Sequence, residues 1–160
     1  MGLVIVKCGN PGDEEHLEHL AHYICDDRKL MIGGNGVDYT DDKAVSKQMQ
    51  SVKEHFGKTK NRSHVQVILP YNEQGITAEK TCEYTKEAAA YFDDDYQTLY
   101  CAHQPDEECD HYHSHIMINP VNIHTGKMME TDPVSLKPFC EHVEKVTGAK
   151  NRLKFKKNDE

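Results

Sequence analysis

The sequence predicts an α+β fold in which a central, mainly antiparallel β-sheet of about five strands is covered by helices. Three observations point there. Residues 65–69 and 111–119 alternate at a period of two, the mark of a half-buried strand. Four other stretches repeat apolar residues at steps of three and four, the mark of a helix packed through one face. Several neighbouring strand candidates are joined by short connections, which antiparallel partners accept and parallel partners do not. At 160 residues the chain reads as one domain over 1–160, long enough for a continuous core.

Taken in order, Leu3, Val4, Ile5 and Val6 make a short apolar strand, ended by the turn formers of Cys8-Gly9-Asn10-Pro11-Gly12. From Asp13 a helix follows. Its first-turn carboxylates suit the positive end of the helix dipole, and Leu17, Leu20, Ala21 and Ile24 form its apolar stripe. His16, His19, Tyr23 and Asp27 share a neighbouring stripe that can face a cleft. Gly33, Gly34 and Gly36 then predict a mobile loop over 26–39. A second helix starts at Asp41 and Asp42, carries Val45, Met49, Val52 and Phe56, and stops at Gly57.

The alternating strand over 63–69 ends at Pro70. Thr77 caps a helix that buries Ala78, Cys82, Thr85, Ala88, Ala89 and Phe92. Residues 98–103 make another strand, with Leu99, Cys101 and His103 on one face. The strand over 111–119 turns His111, His113, His115, Met117 and Asn119 to one side, and Ser114, Ile116 and Ile118 to the other. Gly126-Lys127 reads as a turn into a short returning strand at Met128-Met129, and Asp132-Pro133 opens a final helix that stops at Gly148. Residues 151–160 read as a basic, disordered tail.

Composition narrows the setting. The hydrophobic fraction of 37% is modest, but it is grouped in periodic runs, as in a soluble globular protein. No apolar run approaches the ~20 residues of a membrane span, and the run after Met1-Gly2 is too short for a signal-peptide core. The expected place is therefore the cytoplasm, with no membrane partner. Six scattered cysteines without a C-x-x-C pair read as free thiols of a reducing compartment. A formal net charge of −8 argues against holding nucleic acid by overall electrostatics. Lys43, Lys47, Lys53, Lys58, Lys60 and Arg62 carry much of the positive charge, which reads first as a solvated helix face.

His103, His113 and His115 come together if their strands are neighbours, because the connection is short and all three can share one sheet face. Three imidazoles with no fourth protein ligand leave positions open for water or substrate, the arrangement of a catalytic metal site. An equally weighted reading makes His111, His113 and His115 a His-rich strand face that meets metal only adventitiously. Tyr23 adds a candidate nucleophile. A phenol ordinarily ionises near ~10, so it attacks at neutral pH only where a base or cation stabilises the phenolate.

Specific motifs sharpen this. The run His113-Ser114-His115-Ile116-Met117-Ile118-Asn119 is preceded by His103-Gln104-Pro105-Asp106. It is followed by Val121-Asn122 and Thr125-Gly126-Lys127. Together they resemble the metal-site motif of relaxases, the mobilisation nucleases of the HUH endonuclease superfamily, in particular the MOB-P type of conjugative and mobilisable plasmids. His22-Tyr23-Ile24-Cys25-Asp26-Asp27 resembles their nucleophile motif, and the helix ending in Val146-Thr147-Gly148 resembles their last element. Leu69-Pro70-Tyr71 stands where the family's second motif usually shows a serine.

The resemblance implies an HUH-type fold and metal-dependent nicking and rejoining of one DNA strand. Tyr23 would attack a phosphodiester to give a 5′-phosphotyrosyl link and a free 3′-hydroxyl. His103, His113 and His115 would hold a divalent ion, with His111 as a competing ligand. Asp106 and Asn119 would orient the ligand rings, and Arg28, Lys29 and Lys127 would contact DNA. Imidazoles suit several transition metals by ligand type, and the family is usually described with Mg or Mn. The implied partners are single-stranded DNA at an origin of transfer, in hairpin form or not, and accessory proteins of a relaxosome. Two alternatives stand beside this: a rolling-circle replication initiator with the same chemistry, and a non-catalytic module that binds an origin or hairpin.

Overall fold

Most stretches of apolar periodicity become one element each of the computed structural model, which describes residues 2–26, 29–107 and 109–157. β1 (Gly2–Cys8) leads into α1 (Glu14–Ile24), β2 (Lys29–Asn35) into α2 (Asp42–Phe56), and β3 (Val65–Pro70) into α3 (Ala78–Ala89). A 3-10 turn (Ala90–Phe92), β4 (Thr98–His103), β5 (His113–Ile118), α4 (Pro133–Thr147) and β6 (Asn151–Phe155) complete the order. The strands make one six-stranded sheet, β2-β4-β5-β3-β1-β6. Every pairing is antiparallel except that of β1 with β6. The α+β, mainly antiparallel expectation holds, with six strands instead of about five.

The helix boundaries follow the capping residues. Asp13, Asp41, Thr77 and Asp132 each accept a hydrogen bond from a first-turn backbone N–H, which satisfies a donor the helix itself cannot. Gly57 and Gly148 close α2 and α4 at φ of 69° and 73°, where a side chain would be strained. The sheet is covered on both sides. Leu17, Leu20, Ala21 and Ile24 of α1 join Val45 and Met49 of α2 over Leu99, Cys101 and Met117. On the opposite face Tyr84, Ala88 and Ala89 of α3 join Leu136, Phe139 and Val143 of α4 over Val65, Val67, Ile116 and Ile118. Fully burying each such Leu, Ile, Val or Phe contributes about 1.5–3 kcal/mol.

Four expectations are corrected. The glycine segment is not a mobile loop: Lys29–Asn35 is edge strand β2, paired with β4. Gly33 is needed there for close approach, because a Cβ would lie 2.5 Å from the Tyr100 ring. The tail is ordered at Asn151–Phe155, where it pairs with β1. Met128-Met129 forms no strand, only an isolated bridge between Val121 and Met128. Lys53 is not on a solvated face. It is buried, its Nζ donates to the Ser63 carbonyl at 2.5 Å, and desolvation lowers its pKa to about 8. Among the described residues no helix is long and apolar enough to cross a membrane.

Candidate metal centre

Strand register builds the centre. In the β4–β5 ladder His103 stands opposite His113 and Cys101 opposite His115. Alternation puts all three imidazoles on the α1 side of the sheet. Their ring centroids lie 5.2 Å (His103 to His113), 4.5 Å (His103 to His115) and 5.0 Å (His113 to His115) apart. One possible ligand atom from each lies within 4.8 Å of the other two. His103, His113 and His115 are all buried, at 0%, 3% and 5% exposure, so these polar rings need partners.

Each ring has a hydrogen-bond partner at one nitrogen. His103 Nε2 donates to the Ile24 carbonyl at 2.9 Å, and His113 Nδ1 donates to the His111 carbonyl at 2.9 Å. His115 Nδ1 meets the Gln66 side-chain amide nitrogen at 3.1 Å, and rotating that amide by half a turn lets Oε1 accept from Nδ1–H instead. A carbonyl on one ring nitrogen fixes the tautomer and leaves the other as a metal donor. Three neutral imidazoles held in this way fit a divalent transition ion.

The nucleophile candidate stands beside this cluster. Tyr23 lies in the last turn of α1, half-buried, with its ring edge-on to His115 at a centroid distance of 6.1 Å and an interplanar angle of 88°. Side chains from two strands hold the end of that helix. The contacts are the His103 bond to Ile24 and the hydrogen bonds of Lys29 Nζ to the Cys25 and Asp26 carbonyls, at 3.1 and 3.4 Å. The neighbouring Cys101 thiol lowers the Cys25 pKa, while Cys25 and burial together raise that of Cys101. His16, His19 and Tyr23 line one cleft of about 450 Å³ together with Gln66, His113 and His115. Asp27, the fourth residue of their stripe, lies outside the described residues.

The other expected site residues distribute unevenly. His111 is not in the cluster: β5 begins at His113, and the His111 ring turns to Asp110 at 3.2 Å. It contributes its carbonyl to His113 instead. Asn119 is corrected too. Its amide donates to the Met49 carbonyl and to Gln97 Oε1, at 3.1 and 2.8 Å, and so bolts α2 to the far end of the sheet. Asp106 sits in the β4–β5 connection, where its carboxylate accepts from the Cys109 N–H at 2.9 Å. Lys127 lines a separate cavity on the α3–α4 side with Tyr91 and Phe139, away from the cleft. Arg28 lies outside the described residues, and Lys29 is the register partner of His103.

Sequence reasoning missed Gln66 and Lys7, which line the cleft with Lys156 of the basic tail. A polar residue at an alternating position of an apolar strand was the one available signal for Gln66. No curated protein matches the chain. The family description "Relaxase: MobA/VirD2-like, nuclease domain" matches residues 23–149, from Tyr23 through the histidine strand to the end of α4. With that span covering most of its length, the chain belongs to the relaxase family, as a nuclease domain of the MobA/VirD2-like kind.

Proposed function

We propose that this relaxase domain nicks and rejoins one strand of DNA at an origin of transfer of a plasmid or related mobile element, with Tyr23 as its nucleophile and a divalent metal at His103, His113 and His115. The observation that carries the reading is the edge-on approach of Tyr23 to His115 across one cleft. A bound ion there would draw charge from the non-bridging phosphate oxygens as the pentacovalent state forms. The Tyr23 phenol oxygen forms a bond to phosphorus as the P–O3′ bond breaks. The phenol loses its proton, and the released 3′-oxygen gains one. Because one phosphodiester replaces another, the 3′-hydroxyl can attack the phosphotyrosine and restore the strand.

The fold serves this step by positioning. The Ile24 carbonyl held by His103 sets the last turn of α1, so the nucleophile and one ligand are fixed by the same hydrogen bond. Buried Leu17, Leu20, Ala21 and Ile24 keep the opposite side of that helix on the sheet. The test is incubation with single-stranded oligonucleotides in Mn²⁺ or Mg²⁺, and again with a chelator. Metal-dependent cleavage is expected. Oligonucleotide binding with no cleavage in any divalent ion would reduce the protein to a DNA-binding module.

A further inference from the structure

Edge strand β6 concentrates positive charge in an acidic chain. Lys150, Arg152, Lys154, Lys156 and Lys157 fall in a run that holds no Asp or Glu, against a net charge of −8. The register shows where this charge points. Leu3 pairs with Arg152 and Ile5 with Lys154, while Ile5 also pairs with Ile68 and Ile68 with His115. Register partners in a sheet share a face, so Arg152 and Lys154 stand on the side that carries the imidazoles. The Lys156 N–H donates to the Val6 carbonyl at 3.0 Å, which continues the ladder, and Lys156 and Lys7 both line the cleft.

Alternate residues of a strand repeat at about 6.6 Å, comparable to successive phosphates of an extended single strand, and three strand spacings put β6 about 14 Å from β5. Arg152 and Lys154 are exposed, and among the described residues no hydrogen bond or ion pair engages the side chains of Arg152, Lys154 or Lys156. Basic residues can also serve to protect an edge strand from pairing with another chain. That role needs no choice of face, whereas here Leu153 packs on the opposite core and Arg152, Lys154 and Lys156 keep to the cleft side.

We propose that Arg152, Lys154 and Lys156, with Lys7 beside them, bind the phosphate backbone of a single DNA strand and lead it across the sheet to the histidine cluster. The inference rests on the DNA-nicking reading and explains how an acidic protein holds a polyanion: the required charge is local, on one edge strand.

The test is fluorescence anisotropy with a labelled single-stranded oligonucleotide of mixed sequence over a salt series. It compares the wild type with Arg152→Gln/Lys154→Gln/Lys156→Gln and with the charge-matched Lys43→Gln/Lys47→Gln/Lys60→Gln. The edge-strand variant is expected to bind at least about tenfold more weakly at low salt. Its log K against log salt slope should be shallower by about 2, three contacts at ~0.7 each. The control should bind like the wild type. If the edge-strand variant fails to fold, Lys154→Gln alone should lose ~0.7 of slope. Wild-type binding with an unchanged slope in the edge-strand variant would overturn the rail and leave the nicking reading intact. Equal weakening in both triple variants would also overturn it, since total charge would then be the cause. Failure of the wild type to bind single-stranded DNA at low salt would remove the nicking reading and the rail with it.

Discussion

His103 Nε2 donates to the Ile24 carbonyl at 2.9 Å, so a histidine of the buried cluster on β4 directly holds the residue that follows Tyr23 on α1. The cluster and the helix that carries Tyr23 are therefore one mechanical unit. A change that moves the His103 ring moves the end of α1, and an ion that fixes the ring fixes the helix.

That unit predicts one divalent ion per chain, with ligands that can be told apart by mutation. His113→Ala should lose the ion. His111→Ala should keep it, because the His111 ring lies outside the cluster and only its backbone carbonyl touches His113. Metal content after dialysis against Mn²⁺ or Zn²⁺ checks this. Thermal unfolding gives a second readout, since an ion at a hundred times its Kd stabilises the wild type by about 2.7 kcal/mol.

Gln66 should tune the affinity of the site without abolishing it. Its amide is the partner of His115 Nδ1, and removing an outer hydrogen bond of a ligand histidine typically costs about 10–100-fold in metal affinity. Gln66→Leu, titrated with Mn²⁺ or Zn²⁺, should show that loss with the stoichiometry unchanged.

Much of this architecture was legible beforehand, for identifiable reasons. The helices announced themselves through Asp13, Asp41, Thr77 and Asp132 at their caps and through single apolar stripes. Alternation in β5 put His113 and His115 on one face, and the short β4–β5 connection made His103 their natural companion. β2 escaped because Gly33 and Gly34 are read as flexible, and only the Tyr100 ring lying over them shows why a strand wants no side chain there. β6 escaped because its charge suggested solvent, although Leu153 and Phe155 alternate with Arg152, Lys154 and Lys156 as a strand requires. The role of Asn119 depended on what faces the end of β5, and that is tertiary information.

Asn119 should behave as a structural residue. It is fully buried, and Asn119→Ala leaves Gln97 Oε1 without its donor and removes the tie to the Met49 carbonyl. Leaving a buried acceptor unsatisfied costs about 1–3 kcal/mol, so the urea midpoint should fall clearly. Metal affinity should stay at the wild-type value, which a ring-orienting role would not allow.

Acid stability should depend on His64. This buried ring takes a hydrogen bond with Ser63 Oγ at 3.0 Å, and burial, aided by His16 and Lys53, lowers its pKa to about 3. The unfolded chain protonates the same residue below about 6.5. The unfolded state thus binds the extra proton, and stability falls as pH drops from about 6.5 toward 3, by on the order of a few kcal/mol. Urea unfolding of the wild type and His64→Gln across that range should give a shallower acid limb in the variant, whatever its stability at pH 7.

The most direct test of the account is to trap the covalent intermediate. The protein is incubated with a single-stranded oligonucleotide from a candidate origin in Mn²⁺, digested with a protease, and the nucleotide-bearing peptide sequenced by mass spectrometry. A phosphotyrosyl adduct on Tyr23 is expected, absent with a chelator and absent in Tyr23→Phe. An adduct on another residue, or one that persists in Tyr23→Phe, would contradict it.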